Sequence, residues 1–60
     1  AAALYAQACN TGNGAGCSSL GNCYWFGRGE AKNPDMARQM FIKGCGLGNQ
    51  WGCDRLKQMK

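Results

Sequence analysis

The sequence contains no histidine. That absence removes Ser-His-Asp and Cys-His nucleophilic chemistry, the HExxH zinc motif and most mixed cysteine–histidine metal sites. Only three carboxylates occur in 60 residues: Glu30, Asp35 and Asp54. No local pattern pairs two of them for acid–base work. No apolar run approaches the ~20 residues that span a bilayer, so membrane insertion is not expected. Ala1 to Ala8 lacks a basic segment and contains Tyr5 and Gln7, unlike a secretory leader. The chain opens inside a pattern, so a longer native protein is expected upstream of Ala1, with Lys60 near the native C-terminus.

A 60-residue chain is one domain at most. Chains this short bury a modest share of their surface and usually need covalent or metal staples. The net charge is +4. Nucleic-acid binding would want that charge in a stripe. The nearest cluster is Arg55, Lys57 and Lys60, in a last helical turn where cations complement the helix dipole. Nucleic acid is therefore not expected as a partner.

What the sequence does have is cysteine and glycine in a fixed arrangement. Cys9-Asn10-Thr11-Gly12-Asn13-Gly14-Ala15-Gly16-Cys17 is answered by Cys45-Gly46-Leu47-Gly48-Asn49-Gln50-Trp51-Gly52-Cys53. One offset, 36 residues, relates Cys9 to Cys45 and Cys17 to Cys53. Gly12/Gly48, Asn13/Asn49, Gly16/Gly52 and Leu20/Leu56 fall on it as well. Tyr5/Phe41 and Leu4/Met40 match in kind. This reads as an internal repeat.

Four helices are expected. Ala1 to Ala8 is alanine-rich, with Leu4, Tyr5 and Ala8 forming one apolar face. Asn10 to Gly14 is a turn, and Asn13 can cap the next helix. The second helix runs from about Ala15 to Phe26, with Cys17, Leu20, Gly21 and Tyr24 on one face. Gly16 and Gly21 are unfavourable in a helix, so a close neighbouring helix is their expected reason. Gly27-Arg28-Gly29 stops that helix; without a surrounding phosphate-loop pattern, turn geometry explains it better than an anion site. Asn33-Pro34-Asp35 is a helix start. The third helix carries Met36, Ala37, Met40, Phe41 and Gly44 as its core stripe and breaks at Gly46 and Gly48. The fourth runs from about Gln50 to Met59. Cys53, Leu56 and Met59 face inward there, and Asp54, Arg55, Lys57, Gln58 and Lys60 outward.

Cys9 at the end of one helix and Cys17 at the start of the next come together in a tight αα-hairpin, within reach of a disulfide. Cys45 and Cys53 repeat the arrangement. Four thiolates binding zinc is the rival, although zinc sites usually space their cysteines two to four apart. Reduced thiols are a second rival. Disulfides are the better reading, and they imply an oxidising compartment, periplasm or exterior. Cys23 has no counterpart at the offset, where Met59 stands. It is expected to be a free thiol, either a small buried hydrophobe or a reactive group.

Tyr5-x-x-Ala8-Cys9, Gly16-Cys17-x-x-Leu20-Gly21-x-x-Tyr24-x-x-Gly27-x-Gly29, Asp35 and Phe41-x-Lys43-Gly44-Cys45 together resemble Sel1-like repeats. The eight-apart cysteines resemble the cysteine-rich bacterial branch of that family. The likeness covers nearly all of the chain, residues 1–60, as one full repeat between two halves. Two positions depart from it: Glu30-Ala31 after Gly29, and Cys23. The resemblance implies an all-α αα-hairpin solenoid of the tetratricopeptide kind, about four antiparallel helices, clipped by disulfides. It also implies an adaptor that binds a protein or peptide, without cofactor or metal. The concave face implied for this chain holds Ser18, Asn22, Trp25, Trp51, Asp54 and Gln58.

Semi-exposed tryptophans are good interface anchors, with satellite core as the alternative for both Trp25 and Trp51. Two other functions stand beside the adaptor. Some cysteine-rich relatives are described as penicillin-binding or β-lactamase-like, but the Ser-x-x-Lys spacing of such enzymes is absent here: Gly21 follows Ser18 and Asn22 follows Ser19 at that distance. The chain is therefore not expected to be an enzyme. The third function is purely structural, the capping end of a longer array.

Overall fold

A computed structural model describes residues 2–59; Ala1 and Lys60, and with them the expectations placed on those two residues, lie outside the described range. Four α-helices follow one another: α1 (Ala2–Asn10), α2 (Gly14–Phe26), α3 (Pro34–Gly46) and α4 (Gln50–Gln58). Among the described residues there is no strand. The fold is all-α, as expected. α2 lies at its centre, packed on α1, on α3 and more lightly on α4, while α4 rests mainly on α3.

Three asparagines start three helices. The Asn13 side chain accepts from the Gly16 amide at 3.2 Å, Asn33 from Met36 at 3.2 Å and Asn49 from Gly52 at 3.0 Å. Each bond satisfies an amide that the first turn leaves without a partner. Pro34 occupies the first turn of α3, where its missing N–H is harmless.

The α1–α2 and α3–α4 connections carry the same bonds. Gly12 N–H donates to Cys9 O at 3.0 Å, and Gly48 N–H to Cys45 O at 3.0 Å. Asn13 N–H donates to Ala8 O at 3.0 Å, and Asn49 N–H to Gly44 O at 2.9 Å. Both turns need a left-handed residue, and glycine supplies it, at φ +87° in Gly12 and +92° in Gly48. A disulfide closes each hairpin: Cys9–Cys17 with Cα atoms 4.5 Å apart, and Cys45–Cys53 with Cα atoms 4.7 Å apart. Cys23 is unpaired and buried.

Glycine also sets how closely the helices approach. A Cβ on Gly16 would stand 2.6 Å from the Cβ of Ala8, and one on Gly21 would meet the Ala37 carbonyl and the Phe41 ring at 3.0 Å. That is the close approach the sequence implied. It also overturns the expected face of α1. Leu4 is 65% exposed and Tyr5 38%, whereas Ala2 and Cys9 are buried and Ala6 packs against the core. On the α1 side the seam is lined by small residues, which Leu20 of α2 packs against.

The stripes of α2 and α3 are as expected. Cys17, Leu20, Gly21, Ala37, Phe41 and Gly44 are buried, and Tyr24, Met36 and Met40 half-buried. Two details differ. α3 continues through Gly46, whose backbone is not left-handed and whose missing side chain would meet open space, so the helix stops only at Leu47 and Gly48. Arg55 is half-buried rather than outward-facing.

These features give two expectations for the folded chain. Gly12→Ala and Gly48→Ala each lower stability by about 1 kcal/mol in urea unfolding, because alanine is strained in the left-handed region, while Gly46→Ala is neutral or raises it by up to about 1 kcal/mol. The Cys9–Cys17 bond joins two buried residues, whereas Cys45 and Cys53 are both half-buried. Graded dithiothreitol with iodoacetamide trapping should therefore label Cys45 and Cys53 first. Losing either bond removes about 2.5 kcal/mol in the chain-entropy picture.

Candidate functional site

The six residues assigned to a concave face do not share one environment. Ser18 is fully buried, at 0% exposure. Its hydroxyl donates to Asn49 Oδ1 at 2.9 Å, tying the middle of the molecule to the cap of α4. It fills space left by Gly44 and Gly52, where any Cβ would collide with its oxygen. Ser18 is thus a packing and capping residue and is closed to a ligand. The resemblance that put Ser18 on a concave face could not reveal that two glycines from α3 and α4 converge on it.

Asn22 and Trp51 do come together. They line an open depression of about 280 Å³ with Tyr5 from α1, Ser19 and Cys23 from α2, and Arg28 from the turn after α2. Trp51 is 43% exposed. Its ring meets the buried Phe41 edge-on, with centroids 6.0 Å apart and planes at 83°. Such an edge-to-face contact anchors Trp51 on the core. Trp51 is therefore both partly core and partly surface.

Trp25 belongs elsewhere. It lines a second shallow depression of about 300 Å³ with Pro34, Asp35, Arg38 and Met59. Asp54 and Gln58 lie on the exposed side of α4 and bond within that helix: Gln50 Nε2 donates to Asp54 at 3.1 Å, and Arg55 to Gln58 Oε1 at 3.3 Å. The structure thus joins Asn22 to Trp51 and leaves Trp25, Asp54 and Gln58 outside that depression.

Two arginines stack on aromatic rings at or beside the site. The Arg55 guanidinium lies 5.6 Å from the Trp51 ring centroid, 5.8 Å from Phe41 and 5.9 Å from Phe26. Arg28 lies 5.6 Å from the same Phe26. A guanidinium over an aromatic face is attracted by the ring quadrupole, by about 0.5–1 kcal/mol where exposed and more where desolvated. Hydropathy periodicity treats arginine as outward, and this stacking is the reason Arg55 is not.

Four of the five cysteines are used in disulfides. Among the described residues no group of three or more His, Cys, Asp or Glu side chains could hold a metal ion, and no helix is long and apolar enough to cross a membrane. Every buried side-chain nitrogen and oxygen among them has a hydrogen-bond partner. Comparison of the chain with protein-family models, curated proteins and solved structures gives no match.

The Ser18 seat is open to a direct test. Ser18→Ala should cost about 1 kcal/mol through the lost bond to Asn49. Ser18→Val should cost about 2–3 kcal/mol, because the added methyls meet Gly44 and Gly52. Chemical denaturation of the two variants checks both values.

Proposed function

We propose that the chain is part of a Sel1-like helical array and binds a protein or peptide in the depression between α1, α2 and α4. The observation that carries this reading is the convergence of Asn22, Tyr5 and the half-exposed Trp51 on one open site. An amide that can donate and accept beside two aromatic rings suits a peptide backbone and its apolar side chains. At about 280 Å³ the depression falls at or below the smallest ligand pockets, usually about 300–1,000 Å³. It would take one or two side chains of a longer segment rather than enclose a substrate.

The array itself is supported by the two hairpins. Their caps, left-handed glycines, turn bonds and disulfides correspond at a 36-residue offset. Leu4 is apolar and exposed on α1, a face suited to a stacked helix. The exposed side of α4 carries Asp54, Lys57 and Gln58, a polar face suited to a cap. Two disulfides in so small a chain favour an oxidising setting, the periplasm or the exterior.

Panning a displayed library of random dodecapeptides on the folded chain tests the binding site. Recovered peptides should bind about tenfold more weakly to Trp51→Ala and to Asn22→Ala, the loss expected at an interface anchor. Lys43→Ala, outside the depression, should bind them as the parent does. Peptides indifferent to both Trp51→Ala and Asn22→Ala would refute the site.

A further inference from the structure

Resting on that reading and going beyond it, we propose that the bound segment is acidic and that Arg28 receives its carboxylate. Arg28 is the one charged residue lining the depression among the described residues. It is held there by the backbone. Gly27 and Gly29 on either side are both left-handed, at φ +75° and +74°. The Arg28 amide donates to Cys23 O at 2.8 Å, which ties the turn to the end of α2. The side chain is then steadied by Phe26, 5.6 Å from the guanidinium carbon. The Gly-Arg-Gly turn therefore presents a cation to the depression as well as stopping the helix.

The second cation reinforces the first. Arg55 lies over Trp51, which lines the same depression, and over Phe26, which Arg28 also faces. The two charges are no farther apart than the sum of their 5.6 Å and 5.9 Å distances to that ring. That is on the order of one Debye length at 0.1 M salt. Arg55 thus puts a second positive charge beside Trp51 at the border of the depression, which favours an anion there. A carboxylate can meet the planar fork of Arg28 with two parallel hydrogen bonds.

An acidic peptide fits better than a nucleic acid or an anionic membrane. The remaining described cations, Lys32, Arg38, Lys43 and Lys57, are spread over the loop, α3 and α4, and none lines this depression. They form no track for a phosphate backbone. A peptide supplies the carboxylate together with backbone groups for Asn22 and an apolar side chain for Trp51.

The dodecapeptides recovered by panning are the probe. They are expected to be enriched in Asp and Glu. Each acidic peptide should bind about tenfold more weakly, or worse, to Arg28→Gln, and replacing its own Glu by Gln should cost a similar factor. Arg28→Gln lies in an exposed turn, and its circular dichroism is compared with the parent; should it unfold, the peptide-side replacement carries the test. Recovered peptides without acidic enrichment that still depend on Trp51 overturn the acidic partner and leave the binding site standing. Peptides indifferent to Trp51→Ala and Asn22→Ala overturn both. Displacement of the acidic peptides by a thymidine dodecanucleotide or phosphatidylglycerol vesicles at lower anionic-group concentration, dependent on Arg28, also overturns the proposal by assigning the arginine to another class of partner.

Discussion

Helix backbones meet in this molecule where side chains are missing, and everything else is arranged around those contacts. A Cβ on Gly14 would stand 3.0 Å from the Gly44 carbonyl, and one on Gly44 would stand 2.9 Å from the Gly14 carbonyl. Gly16 admits Ala8, and Gly52 admits the Phe41 carbonyl and the Cys45 amide. Helices of 9 and 13 residues are marginal on their own. Close approach lets a thin layer of side chains bury completely, which is how Phe41, Cys17 and Ser18 lose all contact with solvent. The disulfides act beside the turns of the two hairpins, restricting the unfolded chain there.

From that constraint the site follows. Because α2 is gripped on several sides, its buried positions are used up by packing: Cys17 by sulfur, Ser18 by the α4 cap, Leu20 and Cys23 by the core. To this depression α2 offers the edge carrying Ser19 and Asn22. α4 adds Trp51, anchored on Phe41, and the glycine-flanked turn adds Arg28. The surface available for recognition is thus the remainder after the seams are filled.

Much of the architecture was legible in the sequence. Asn13 before Gly14 and Asn33 before Pro34 marked two helix starts, and the paired glycines at the 36-residue offset marked the two left-handed turns. Cysteines eight apart across such a turn could meet, and they do. The misreadings share one cause. On α1, large apolar residues at helical spacing pointed to Leu4 and Tyr5, but the tight seam selects Ala2, Ala6 and Cys9. On α2, the family resemblance implied an available Ser18, because it carries no information on the glycines that arrive from two other helices. On α4, Arg55 looked solvated because its aromatic neighbours come from α2, α3 and its own helix at once. Local pattern gives the elements, while close approach between elements decides which faces remain free.

Two separate hairpins are each clamped by their own disulfide. Trypsin cuts after Arg28, Lys43 and Arg55, so a non-reduced digest of thiol-alkylated protein should place Cys9, Cys17 and Cys23 on residues 1–28 and Cys45 with Cys53 on residues 44–55. Mass spectrometry should find the two peptides unlinked, each two hydrogens lighter than its reduced form, with the alkyl group on Cys23. A covalent link between the peptides, or alkylation at any of the other four cysteines, would contradict that pairing.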